Sequence, residues 1–267
     1  MRIRNEHLPR IIAMCNQKGG VGKTTDTINL AGALASFGRK VLCVDCDPQG
    51  NLSSGFKVRK LSHSTGKTLT TTLIDGGDPH ILVAKPFDSI HVIPASMDMV
   101  FLSSRLRESN GKELKMKHML EQFGDEYDHI LMDLRPAIDT DTDSETYAAD
   151  AAILAVDVDE WAMEAVGLQV GQHRKLMQDM GRPKDDLPIL GLIINNVTKP
   201  MGHFDKAVYT KLQSHPRIPC LGEIPVRSAD LKEARHAGQP VQFFRPKSDT
   251  AERFRNIAIK AGLVEAA

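Results

Sequence analysis

The turn "NQKGGVGKTTD" runs from Asn16 to Asp26 and joins the apolar run "RIIAMCN" (10–16) to a segment of helical periodicity. Glycines at 19, 20 and 22 let backbone N–H groups crowd around phosphate oxygens, and the positive end of the following helix adds to the attraction. With a strand before it and a helix after it, "GGVGKTT" reads as a phosphate-binding loop. Gly19, Gly20, Val21 and Gly22 would form the cradle, and Lys23 would reach the β- and γ-phosphates of a nucleotide. The Thr24 hydroxyl would coordinate Mg²⁺, and Thr25 would sit near the α-phosphate. One lysine is enough for such a loop, which leaves Lys18, five residues before Lys23, to be explained.

The pattern around the turn sets the fold class. "RIIAMCN" (10–16), "KVLCVDC" (40–46), "SIHVIPA" (89–95), "HILMDL" (129–134), "AAILAVDV" (151–158), "PILGLIINNV" (188–197) and "CLGEIP" (220–225) read as buried strands. Between most of them lie helical patterns, such as Ile28, Ala31, Leu34 and Ala35, closed by Gly38. Near-continuous apolar strands alternating with helices predict an α/β fold, a mostly parallel twisted sheet flanked by helices. The polar stretch 51–68 is expected to be a loop. With no repeat and no linker, the 267 residues read as one domain, 1–267, with 1–9 a short N-terminal extension.

Composition excludes several classes. The 34 basic and 34 acidic residues balance, so a polyanionic partner must be met by a local patch. No apolar run approaches the roughly 18 residues of a membrane span, and the basic start "MRIRNEHLPR" lacks the apolar core of a secretory signal. Four cysteines make no disulfide framework. Cys43 and Cys46 form a C-x-x-C within a strand pattern, where positions three apart face opposite ways, so a shared metal is not expected. The chain reads as cytoplasmic.

"KGGVGKTT" resembles the deviant Walker A box of the ParA/MinD ATPases, in which the extra lysine is the signature. The resemblance implies that Lys18 crosses a two-fold axis to the ATP of a partner subunit, so that dimerisation depends on ATP. A cation supplied in this way is worth roughly 10³–10⁵ in rate. "VDCDPQGNLS" (44–53) resembles the family's switch I segment, with Asp47 orienting the attacking water and contacting the Mg²⁺ shell and Asp45 supporting it. "YDHILMDLRPA" (127–137) ends an apolar strand in Asp133, the Walker B position that would hold Mg²⁺ through water. The resemblance covers about residues 10 to 260.

Three features depart from the family pattern. Asp26 stands where a small residue is usual, and a carboxylate about 6 Å from a phosphate would cost nearly 3 kcal/mol at an effective dielectric near 20. Two helical residues turn by roughly 200°, so if Thr24 faces Mg²⁺ then Asp26 faces away, where it gains from the helix dipole. Arg135 replaces the first proline of the usual "CPP", and is placed to pair with neighbouring carboxylates or to meet a partner. "DTDTDSE" (139–145) has the spacing of a calcium loop, but Ser144 occupies the sharp-turn position, so a solvated or partner-facing acidic surface is expected.

In the C-terminal half, "GLIINNVT" offers Asn195 or Asn196 to the adenine edge, and "IP" would set Pro225 by the base. The stretch "GEIPVRSADLKEARHAGQPVQFFRPKSDTAERFRNIA" resembles the C-terminal signature of the ParA branch. That branch implies ATP and Mg²⁺ as ligands, a sandwich homodimer, nonspecific double-stranded DNA and a ParB-type centromere-binding partner, with no membrane and a nucleoid-associated location. Lys199, Arg227, Lys232 and Arg235, with Arg245 and Lys247, are the basic candidates for DNA phosphates. The short N-terminal extension argues against an operator-binding helix-turn-helix. The alternative is a ParA-like ATPase that positions a protein assembly or organelle.

Overall fold

The computed structural model describes residues 10–61, 66–137, 139–226 and 228–265. Seven strands form one sheet: β1 (Ile11–Cys15), β2 (Val41–Asp45), β3 (Ile90–Ile93), β4 (His129–Asp133), β5 (Ala151–Asp157), β6 (Ile189–Val197) and β7 (Cys220–Pro225). They lie in the order β3-β2-β4-β1-β5-β6-β7, and every adjacent pair is parallel. All seven sequence-predicted strands are present. The helices are α1 (Lys23–Ser36), α2 (Asn51–Gly55), α3 (Leu69–Asp75), α4 (Leu102–Arg107), α5 (Lys115–Glu121), α6 (Thr140–Ala148), α7 (Ala162–Asp179), α8 (His203–Gln213), α9 (Ala229–Ala237), α10 (Val241–Phe244) and α11 (Asp249–Lys260).

Strand alternation divides the core into two layers. Ile11, Ala13 and Cys15 of β1 face one layer with side chains from α5 to α8, while Ile12 and Met14 face the other with α1 and α11. Cys43 and Cys46 fall in different layers, both buried, as period-two geometry requires. Chain order reverses around β1, and in open parallel sheets a ligand site sits beyond the carboxyl ends of strands at such a reversal. The register pairs Asp45 directly with Asp133 across β2 and β4, setting two carboxyl groups side by side at that edge.

Part of the expected loop at 51–68 is the short helix α2. The cause is a long-range side chain: buried Asp45 accepts from Ser53 N at 2.7 Å and Ser53 Oγ at 2.5 Å, which ties the turn down. Ser53 Oγ in turn accepts from Ala95 N at 3.0 Å.

The joint between α1 and α10 has no spare volume. A Cβ on Gly32 of α1 would lie 2.4 Å from Pro240 Cβ and 2.5 Å from Gln242 Oε1. Glycine to alanine in an exposed helix interior stabilises by about 1 kcal/mol. Here overpacking reverses the sign, and we predict that Gly32→Ala costs about 1–3 kcal/mol in urea unfolding.

Candidate functional site

The glycine-rich turn opens a cleft of about 360 Å³ at the carboxyl edge of the sheet. Gly19, Gly20, Gly22, Lys23, Thr24 and Thr25 line one side, with Asp47, Asn51, Leu134, Pro136 and Arg235 around them. Gly22 is required twice over: its φ is 100°, and a Cβ there would meet Asn195 Nδ2 at 2.7 Å. Val21, also in the turn, is buried in the core.

Lys23 is 7% exposed, and its ammonium donates to Lys18 O at 3.1 Å. Burial lowers its pKa, against the pull of Asp133, Cys15 and Asp47. Asp133 is 1% exposed, and neither carboxylate oxygen has a hydrogen-bond partner of standard geometry. Burial and the Asp45 carboxylate push its pKa up to about 7, while the neighbouring Thr24 hydroxyl and Lys23 oppose the rise. Asp45, raised to about 6 by burial against its Ser53 hydrogen bonds, acts as a bracket for the turn. Its Oδ1 also receives a long hydrogen bond, 3.4 Å, from Asp47 N, and Asp47 Oδ1 accepts from Gln49 N at 2.8 Å.

These residues suit a magnesium–triphosphate ligand. A buried carboxylate is costly without a cation, and Asp133 lies behind the cleft, next to the lining residue Thr24 and within the electrostatic reach of Asp47. No group of three or more His, Cys, Asp or Glu side chains that could hold a metal occurs among the described residues. Mg²⁺ needs no such cage, since it draws its other ligands from phosphate and water.

Lys18 lies outside the cleft lining. Its ammonium pairs with Asp159, and with Asp157 at 3.4 Å, and its side chain remains 44% exposed. These carboxylates raise its pKa. Its backbone N–H donates to Asn16 Oδ1 at 2.9 Å, and Asn16 Nδ2 donates to Ala155 O at 2.6 Å, so β5 fixes the start of the turn.

Several expectations need correction. Asn195 does not offer its amide hydrogens to an adenine: Nδ2 donates to Val21 O at 2.9 Å and to Asp26 Oδ2 at 2.6 Å. Asn196, in the left-handed region at φ 54°, donates to Asp157 Oδ1 at 2.8 Å. Neither they nor Pro225, at the end of β7, lines the phosphate cleft, which bears on phosphate contacts and does not test the expected base contacts of Asn196 and Pro225. Asp26 does face away from the cleft, but into the core, where it is fully buried with Oδ1 unpaired. Desolvation raises its pKa well above the usual carboxylate value, against the Asn195 hydrogen bond, which favours the charged form.

The acidic stretch after Arg135 is not a solvated surface either. Asp141 and Glu145 are 2% and 1% exposed. Arg135 Nη2 binds Asp139 and, at 2.6 Å, Asp141, while burial pushes Glu145 well up. Of the basic candidates, Lys199 pairs with Glu223 at 2.6 Å, and Arg245 pairs with Asp230 and Glu233. Lys232 and Arg235 lie on α9, and Arg227 falls outside the described residues. Sequence reasoning missed Asn16, Asn51, Asp157, Asp159 and the cleft position of Arg235. "VDVDE" displays its acids openly, but nothing local shows that they meet a lysine about 140 residues earlier.

A family profile described as an AAA domain matches residues 9–184. The chromosome-partitioning ATPase Soj of Thermus thermophilus is 32% identical over 251 residues, 93% of this chain and 94% of that protein. The chain belongs to the ParA/MinD family of P-loop ATPases. Among solved structures, the Mg-ADP complex of the septum site-determining protein MinD from Pyrococcus horikoshii is 25% identical. It superposes with a TM-score of 0.71, covering 96% of this chain and 99% of that one. An ATP complex of an McdA variant from Cyanothece shares the fold with a TM-score of 0.83 at 19% identity, covering 97% and 98%. This ParA-like chain is an ATPase, with ATP and Mg²⁺ as its ligands.

The raised pKa of Asp133 has a measurable sign. A carboxyl raised from 3.8 to about 7 keeps its proton in the folded chain while the unfolded chain has lost it. It therefore favours folding at low pH, and that contribution is lost as pH rises through the folded value. Without nucleotide, the wild type should lose stability relative to Asp133→Asn between about pH 4 and 7 and hold level above. Thermal unfolding of both proteins across pH 5 to 8 checks this. A wild type that gains on the variant as pH rises would refute the assignment.

Proposed function

We propose that this ATPase moves DNA by an ATP-gated dimer. The observation that carries the reading is the exposed Lys18 beside, and not inside, its own phosphate cleft, in a chain similar to Soj over 93% of its length. Gly19 to Thr25 bind the triphosphate through backbone N–H groups and Lys23. Bound Mg²⁺ would supply charge neutralisation at the phosphates, and Thr24, Asp47 and Asp133 would hold it, a reading supported by Thr24 and Asp47 in the cleft lining and by the buried Asp133 carboxylate next to Thr24.

In the dimer, Lys18 leaves Asp157 and Asp159 for the partner's triphosphate. Asp47 orients the water whose oxygen bonds to the γ-phosphorus as the bond from that phosphorus to the β,γ-bridging oxygen breaks. ADP carries that bridging oxygen away, and the water proton leaves with phosphate or to solvent. Hydrolysis opens the dimer, because the triphosphate alone prefers the closed state. A ParB-type protein stimulates this step, and the cycle runs in the cytoplasm over the nucleoid. Among the described residues no helix is long and apolar enough to cross a membrane.

Nonspecific duplex DNA would be held only by the ATP dimer, through Lys232 of α9 with Lys247, and Arg227. If about four phosphates are neutralised, log K should fall against log salt with a slope near −3.6. Filter binding with ATP and with ADP tests this: ATP-dependent, salt-sensitive retention supports partition. No retention in either state would instead favour an ATPase that positions a protein assembly.

Lys18→Ala is predicted to sediment as a monomer with ATP and to lose partner-stimulated turnover by a factor on the order of 10³. A Lys18→Ala protein that still dimerises and turns over normally would defeat the mechanism.

A further inference from the structure

Arg235 was grouped by sequence with the DNA-facing cations, yet among the described residues C-terminal to Pro136 it is the one that lines the phosphate cleft. The cleft lining includes neither Asn195 nor Pro225, so the cavity that Arg235 enters is a phosphate chamber and not a base pocket. Among the described residues its guanidinium has no ion pair or hydrogen bond. The arginines on the neighbouring C-terminal elements behave differently. Arg245 holds Asp230 and Glu233, Arg253 holds Asp249 and Glu223, and Arg255 holds Glu252.

The position of Arg235 is tied to the phosphate loop itself. Thr25 lines the cleft, and its carbonyl accepts from Asn29 Nδ2 at 2.7 Å. Asn29 Oδ1 accepts from Val241 N at 2.9 Å, which anchors α10 to α1. The end of α9 is closed by Gly238 at φ 78°, where a Cβ would stand 2.6 Å from Lys57 Cδ, just beyond α2. Arg235 therefore sits exposed on a helix that packs on α10, which is itself anchored to the helix beginning with Lys23, while the end of α9 abuts Lys57. An unpaired guanidinium held over a chamber of backbone N–H groups is a planar, always-charged donor suited to phosphate oxygens.

We propose that Arg235 is a nucleotide-contacting residue, supplied by the same chain, that binds the phosphate chain of ATP. It complements Lys23, which lines the same cleft. This assignment stands apart from the partition reading, since it needs neither DNA nor a partner protein.

Calorimetric titration of magnesium-ATPγS into wild type, Arg235→Ala, Arg235→Lys and the control Lys211→Ala, without DNA, tests it. Loss of a charge-assisted phosphate contact should weaken binding by about tenfold in Arg235→Ala. Arg235→Lys should fall between, and Lys211→Ala should match wild type. Because the guanidinium is unpaired without nucleotide, apo melting temperatures of Arg235→Ala and wild type should agree, while the nucleotide-induced rise should shrink in the variant. Unchanged ATPγS affinity in Arg235→Ala overturns the assignment, and a loss of DNA retention in that same variant would return Arg235 to the DNA surface. A fall in apo melting temperature as large as the fall in the nucleotide-bound state would also overturn it, by showing a purely structural role.

Discussion

Asp133 ends β4 with both carboxylate oxygens buried and unpaired, one strand from Asp45 and close to the buried ammonium of Lys23. Gathering such groups in a low-dielectric site is unfavourable unless a cation and hydrogen bonds complete the set. The chain accepts this cost where parallel register forces strand ends together, and it relieves Asp45 through Ser53 and Asp133 in part through the neighbouring Thr24 hydroxyl and Lys23. A site with an unpaired carboxylate, a threonine hydroxyl and a glycine cradle is one that magnesium and phosphate complete.

Lys18 expresses the same economy at the surface. Its pairing with Asp157 and Asp159 is solvent-exposed, and exposed ion pairs contribute only about 0–1 kcal/mol. Such a pairing sets the side chain beside the end of β5 without binding it tightly. Asp157 also accepts from Asn196, and Asn195, next in the chain, holds Val21 O and buried Asp26. The ends of β5 and β6 thus support the phosphate loop from outside the nucleotide. Asp26 departs from the family at a position where, among the described residues, its side-chain hydrogen-bond partner is Asn195, so a change there acts on the loop's support and not on the phosphates directly.

Much of the site was legible because its chemistry is local. "GGVGKTT", "DCDPQG" and the strand ending in Asp133 each carry their meaning in a few adjacent residues, and their order along the chain identifies the family. What could not be read was whatever depends on a distant partner. Asn195 and Asn196 look equally fit for a base edge, yet tertiary contacts give their amides to Val21, Asp26 and Asp157. The acids of 139–145 look solvated, but α6 carries Asp141 and Glu145 inward, with Arg135 supplying the counter-charge.

By itself the sequence determined the parallel sheet, the phosphate loop and the two acidic strand ends, because near-continuous apolar runs and glycine-bearing turns act over a few residues. Only the tertiary structure decided which cation faces which anion. Lys18 meets its aspartates about 140 positions away, Lys199 and Arg245 are taken by carboxylates, and Arg235 is left open to the phosphate cleft. Charge pairing depends on distance in space and on dielectric, and neither is fixed until the helices have packed.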